Sequence, residues 1–310
     1  GQTNCWALPT GEYGVYETAQ ANELFVCMPR AARNMAYQGL TRENGKVECV
    51  ATLSGQDLLG TPLRAPLAKY DVVHVLPMAS ISPEKSTGVV TSVPSDSPDD
   101  YTNFMALKNK ADFRKKVGVK DEWVLPFEIV PIINIPDIGD VAAETVCQQL
   151  KVNGPNDKVH LAEAKEITYQ KGFYLGTMIV GAHKGVLVKD AKPLVRDELL
   201  KDGQAVMYCE PASRVMSRSG DECVVALCDQ WYLKYGEEKW RAATEAHMET
   251  MNFYNSAAHD MLKFALGWMN QWACSRNFGL GTRLPWDPKY LIESLSDSTV
   301  YMAYYTPCTR

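Results

Sequence analysis

Apolar and polar positions divide this chain into a strand-rich first part and a helix-rich end. Up to about residue 95, alternation and turn signals predict short strands, among them residues 14–18, 23–28, 48–53 and 72–76. One helical pattern, residues 31–38, interrupts them, and this combination predicts a barrel or a strongly bent sheet. A β-branched run beginning at Thr87 then meets a polar turn and a helix start. Ser97 suits the N-cap, Pro98 the first helical position, and Asp99 and Asp100 the first turn. The helix is expected to continue from Tyr101 to about Val117, with Arg114, Lys115 and Lys116 complementing its dipole.

Further on, residues 124–127 and 130–135 read as strands whose prolines suit edges or bulges. Residues 141–150 and 158–169 read as helices, the second capped by Asn156 or Asp157. Strands are expected at 176–180, 186–188 and 205–209, around a helix near 192–200. The pattern changes after about residue 215. Two helical stretches, 239–251 and 256–273, place Trp268 and Trp272 four residues apart, as core residues on one face. A loop, Gly279-Leu280-Gly281-Thr282-Arg283, matches no complete phosphate-binding fingerprint, and a helix is expected from Lys289 onward. A domain boundary is placed between about residues 211 and 220.

At 310 residues the chain can bury a large core, and 46% hydrophobic with 22% charged residues is ordinary for a globular protein. A net charge of −5 argues against a surface that coats nucleic acid, though not against a grip on one short RNA end. The nine cysteines include no CxxC pair and none at zinc spacing, so they read as free thiols in a reducing compartment. No metal site and no membrane span are expected.

The junction at 87–101 carries the candidate chemistry. Ser97-x-x-Asp100 has capping-box spacing, and that role alone accounts for Asp100. A carboxylate at a helix start also reverses the local positive field and can receive an ammonium group. Both readings stay open, since a capping acid can still present an oxygen to a pocket. Gly88 is where backbone can come close to a ligand. Lys165, Lys171 and Lys184 are candidates for phosphate contact. A solvated face accounts for them more readily, because Glu163, Glu166 and Asp190 are interleaved. The five histidines lie outside these motifs.

Several stretches, taken together, resemble one family. Gly88-Val89-Val90-Thr91-Ser92-Val93-Pro94-Ser95-Asp96-Ser97-Pro98-Asp99-Asp100 is similar to the editing-domain signature of eukaryotic cytosolic leucyl-tRNA synthetases. So are Leu161-Ala162-Glu163-Ala164-Lys165-Glu166 and Met216-Ser217-Arg218-Ser219-Gly220-Asp221-Glu222-Cys223. The resemblance covers nearly the whole chain and departs at Pro307-Cys308-Thr309-Arg310. It implies an α/β (α+β) fold: a β-barrel-like editing domain with surrounding helices over residues 1–215, then a mainly helical segment of the class I catalytic core over 216–310.

The resemblance further implies post-transfer hydrolysis of the aminoacyl ester on tRNA(Leu) mischarged with near-isosteres of leucine. Asp100 is then the residue that holds the substrate ammonium. Thr87, Gly88, Val89, Val90, Thr91, Ser92 and Val93 contact the terminal adenosine, with Ser97 and Tyr101 beside them. The implied partners are the tRNA(Leu) 3′ end, AMP- or adenosine-like ligands, and other synthetases in a complex. Editing takes no cofactor. ATP with Mg belongs to the synthetic site of the whole ligase, whose HIGH-like and KMSKS-like motifs are absent here. The chain starts at Gly1 without a methionine and reads as an excised piece. The family's threonine-rich strand, a steric gate against leucine, precedes that point. Bacterial members carry a second acid three positions before the shared one; Ser97 stands there in this chain.

Overall fold

The computed structural model describes residues 1–308; Thr309 and Arg310, the last two residues of the divergent ending, lie outside them. The chain folds as two units, residues 1–227 and the described residues from 228 on.

The first unit begins with β1 (Asn4–Ala7), β2 (Glu12–Glu17), β3 (Leu24–Cys27), α1 (Pro29–Ala36), β4 (Cys49–Ser54), α2 (Gly55–Leu58), β5 (Pro62–Leu63), β6 (Val73–Pro77) and β7 (Val89–Thr91). It continues with α3 (Pro98–Asn109), α4 (Ala111–Lys116), β8 (Ile133–Asn134), α5 (Ala142–Gln149), α6 (Lys158–Leu175), β9 (Thr177–Met178) and α7 (Val188–Lys201). One sheet has the order β5-β6-β1-β7, with β1 parallel to β6 and antiparallel to β7; a second is β3-β2-β4. The mixed α+β class stands, but the strands form open sheets rather than a closed barrel.

Every residue of β1 is buried, because the strand lies between β6 and β7 with both faces covered. Such a strand has no alternation to read. Trp6, fully buried, packs with Leu76, Phe104 and Leu107 in the main core, which fastens α3 onto the sheet. Truncating a buried aromatic of this size costs about 3–5 kcal/mol.

The expected helix 101–117 is two helices. The backbone turns at Lys110 (φ −115°, ψ 92°), which ends α3 and precedes α4. Arg114 makes this break possible. Its guanidinium, 5% exposed as a residue, donates to the carbonyls of Leu107 and Lys108 and to Asp121, at 2.7–2.9 Å. Two of the carbonyls that a helix end leaves without partners are thereby satisfied.

Other expected elements differ for local reasons. Residues 124–127 follow a 3-10 turn (Asp121–Trp123) and are not a strand. Residues 186–188 lead into α7, which starts at Val188. Residues 205–209 form no strand, and the backbone of Cys209 pairs with a side chain instead. The Gln38 amide accepts from Cys209 N at 2.9 Å and donates to Cys209 O at 2.6 Å and Val225 O at 3.1 Å. Arg30 pairs with Glu210 (3.3 Å) and Glu222 (2.8 Å), and Asn34 receives Val225 N. The polar face of α1 thus holds the chain up to Leu227.

In the second unit, β10 (Tyr232–Leu233), α8 (Glu238–Met248), α9 (Ser256–Trp268) and β11 (Trp272–Ala273) precede β12 (Ser275–Arg276), β13 (Arg283–Leu284), β14 (Asp287–Ile292) and α10 (Ser294–Cys308). The helix expected through residue 273 stops at Met269. Trp268 is 58% exposed and Trp272 lies in a strand, so the two do not form a core stripe. Lys289 lies in β14, and the last helix starts at Ser294.

Gly88 shows how tightly the 87–91 ribbon is seated. Its φ is +80°, and a Cβ there would meet Met28 Cγ at 2.6 Å and Sδ at 2.7 Å. Gly88→Ala combines left-handed strain with overpacking and is expected to lower stability by roughly 2–4 kcal/mol. Urea unfolding of the two proteins measures this directly, and a loss below about 1 kcal/mol would mean that Met28 swings away freely.

Candidate functional site

A strand, a turn and a helix start meet where β7 leaves the sheet. Ser97 caps α3, its Oγ accepting Asp100 N at 3.4 Å. The reciprocal half of a capping box is not formed. The Asp100 carboxylate instead accepts Trp6 Nε1–H on Oδ1 and the Val93 amide on Oδ2, both at 2.9 Å. Asp100 therefore ties α3 to β1 and closes the turn after β7. It is 8% exposed, and burial pushes its carboxyl up to about 6, against the opposing pull of those hydrogen bonds.

Asp100 faces a cavity of about 680 Å³. Val90, Thr91 and Val93 form one wall, and Ser97, Asp99 and Asp100 the helix start. Met78 and Ile81 come from the loop after β6, and Ile132, Ile133 and Ile135 from around β8. Thr168, Tyr169, Gly172 and Phe173 on α6, with Val188 and Lys192 on α7, complete the lining. A largely apolar chamber with a few acids in its lining suits a small aliphatic group carrying a cationic head.

The remaining candidates lie elsewhere. Gly88 packs on Met28, and its carbonyl accepts the Tyr13 hydroxyl at 2.7 Å, so it faces core rather than cavity. The Thr87 hydroxyl donates to Val89 O at 2.9 Å, and Val89 joins a core cluster. Ser92 is fully buried, and its Oγ has no hydrogen-bond partner among the described residues. Tyr101 points away, against the α5–α6 core and Glu144, and burial pushes its hydroxyl up to about 12. Lys165 is paired with Asp99 at 2.8 Å; Lys171 and Lys184 are exposed and off the cavity.

Two cavity residues had no sequence signal of their own. Asp96 lies in the recognised motif but reads as a turn residue. Its Oδ2 accepts the Ser95 hydroxyl at 2.5 Å, its Oδ1 is buried without a partner, and desolvation pushes its carboxyl up to about 6. Lys192 is nearly a hundred residues from Asp100, in a helix whose charge pattern looks like any solvated face.

No family model matches the chain. Over 308 residues it is 55% identical to the cytoplasmic leucine–tRNA ligase of Dictyostelium discoideum, and over 306 residues 53% identical to that of Arabidopsis thaliana. Each alignment covers 99% of this chain but only 29% and 28% of those ligases, so the chain spans less than a third of their length. Among solved structures it resembles GlLeuRS-CP1, with a TM-score of 0.64 and 42% identity over 68% of this chain and 75% of that one. It shares its fold with the P. falciparum cytosolic leucyl-tRNA synthetase editing domain, at a TM-score of 0.62 and 24% identity over 68% and 75% of the two chains. Identity sustained along the whole sequence, together with the CP1 fold around the cavity, shows that the chain belongs to the leucyl-tRNA synthetase family.

Proposed function

We propose that the first unit is a hydrolytic editing domain, which clears tRNA(Leu) mischarged with near-isosteres of leucine, and that the second is part of the class I core. The whole ligase, in this reading, joins leucine to tRNA(Leu) with ATP and Mg in the cytoplasm, at a synthetic site outside this segment. Such a ligase needs a second site. A methylene difference in a leucine pocket is worth only about 1–3 kcal/mol, roughly 10–200-fold.

The observation that supports this reading is Asp100: an acid 8% exposed, fixed on both oxygens, in the lining of a largely apolar chamber. Trp6 Nε1–H and the Val93 amide occupy separate oxygens, Ser97 also interacts with the carboxylate, and the two oxygens retain capacity for a further donor. The α-ammonium of an aminoacyl ester is the cation it would take, placing the side chain among Val90, Ile132 and Ile135. Water then attacks the ester carbonyl carbon, the bond to the ribose oxygen breaks, and that oxygen leaves protonated. Trp6 and the Val93 amide keep Asp100 in place throughout, and the substrate's vicinal hydroxyl assists the leaving oxygen. No cavity side chain is a nucleophile paired with a base, so the route is direct rather than covalent.

Hydrolysis of norvalyl-tRNA(Leu) by the full-length ligase carrying this segment tests the reading. Binding of the tRNA end without release of norvaline would make the unit a docking module. The pH dependence adds a sharper measure. Asp100 holds an ammonium only when ionised, and its carboxyl sits at about 6 in the free protein. The kcat/KM for deacylation should therefore rise about tenfold per pH unit below 6 and level off above it until the ester's own α-amine loses its proton. The bound ammonium stabilises the carboxylate, so the limb in kcat should lie at lower pH. A flat kcat/KM between pH 5 and 7.5 would contradict an ionised Asp100 in this role.

A further inference from the structure

We propose that Lys192 is the phosphate anchor of this cavity, holding the 5′-phosphate group of the terminal nucleotide whose ribose carries the ester. The inference rests on the editing reading above and extends it to a contact outside the recognised motif.

Among the cavity-lining residues, Lys192 is the cation, and it has no carboxylate partner within ion-pair distance among the described residues. The lysines singled out in the sequence fail on one count or the other. Lys165 is neutralised by Asp99 at 2.8 Å, and Lys171 and Lys184 do not reach the cavity. The Lys192 ammonium lies 5.8 Å from the centroid of the Phe173 ring, itself part of the lining. This contact biases a flexible chain toward the cavity and leaves its three N–H donors free for an anion. The lining also carries groups of opposite charge preference. Asp96 and Asp100 favour a cation; Lys192, on a different helix, favours an anion. An aminoacyl nucleotide carries that pair: an ammonium on the acyl group, and a phosphate on the 5′ side of the same ribose. An uncharged nucleoside ester lacks the anion that Lys192 would meet, and a free amino acid carries its carboxylate directly beside the ammonium rather than across a ribose from it.

The test compares two small substrates that differ by one group: adenosine carrying norvaline on its ribose, with and without a 5′-phosphate. They are offered to the full-length ligase at low salt, and release of norvaline is followed. The wild type is expected to favour the phosphorylated ester about fivefold in kcat/KM, the scale of one partly solvated charge contact. Lys192→Glu should abolish or invert that preference, and Lys192→Arg should retain it. Raising the salt should erase the wild-type preference. Equal rates on the two esters in the wild type, or a preference that survives Lys192→Glu, overturns the assignment while leaving the editing function intact. Failure of the wild type to hydrolyse either ester, with mischarged tRNA also untouched, overturns the editing reading and this inference with it.

Discussion

Asp100→Asn is expected to reduce deacylation of mischarged tRNA(Leu) by about 30-fold to several thousand-fold, while leucylation by the same full-length ligase continues. The range follows from losing a charge-assisted contact in a desolvated site, about 2–5 kcal/mol. The substitution also has a structural cost. Trp6 Nε1–H and the Val93 amide are both donors, and they occupy separate oxygens of Asp100. An asparagine offers one oxygen, so its NH2 faces one of those donors, at about 1–3 kcal/mol of stability. Folding must therefore be measured beside activity. Trp6→Phe is the matching comparison, because it removes the indole hydrogen bond and keeps the carboxylate. Its deacylation should stay within about tenfold of wild type, the scale of one hydrogen bond of about 1 kcal/mol. Equal losses in the two variants, with both folded, would assign Asp100 to architecture alone.

Arg114→Met, remote from the cavity, should lower stability by about 2–4 kcal/mol. It leaves the Leu107 and Lys108 carbonyls, at the C-terminal end of α3, without their donor. The matching ion pair matters less, since Asp121 is 70% exposed and is rehydrated easily. Denaturant unfolding gives the stability change, and deacylation per folded molecule should match wild type. A loss below about 1 kcal/mol would mean that water reaches the helix end and replaces the guanidinium.

The contrast between these two residues shows what could be read from the sequence. Ser97, Pro98 and the acids behind them mark a helix start through local chemistry, and α3 begins there. That Asp100 bonds across to Trp6, 94 positions away, has no local signal. The break at Lys110 likewise carries no glycine or proline, and it depends on Arg114 folding back from the next helix. Residues 205–209 have the apolar content of a strand, but Tyr208 packs on the apolar side of α1 and Cys209 bonds to the Gln38 side chain just beyond it. The cavity walls from α6 and α7 meet β7 only after folding, which is why Tyr169, Phe173 and Lys192 stayed hidden while the motif at 87–100 was plain. Within that motif, spacing did not separate Val90 and Thr91, which face the cavity, from Gly88 and Ser92, which do not.

The two cavity carboxylates that form no side-chain ion pair among the described residues, Asp96 and Asp100, also bear on what happens after the bond breaks. The ester enters as a cation at its amino end. Hydrolysis converts its carbonyl into a carboxylate within a few ångströms of that same ammonium, and so close to both acids. At about 5 Å and an effective dielectric constant near 20, each like-charge pair costs about 3 kcal/mol, roughly a hundredfold in affinity. In the proposed editing reaction the chamber would therefore hold the ester more tightly than the amino acid released from it.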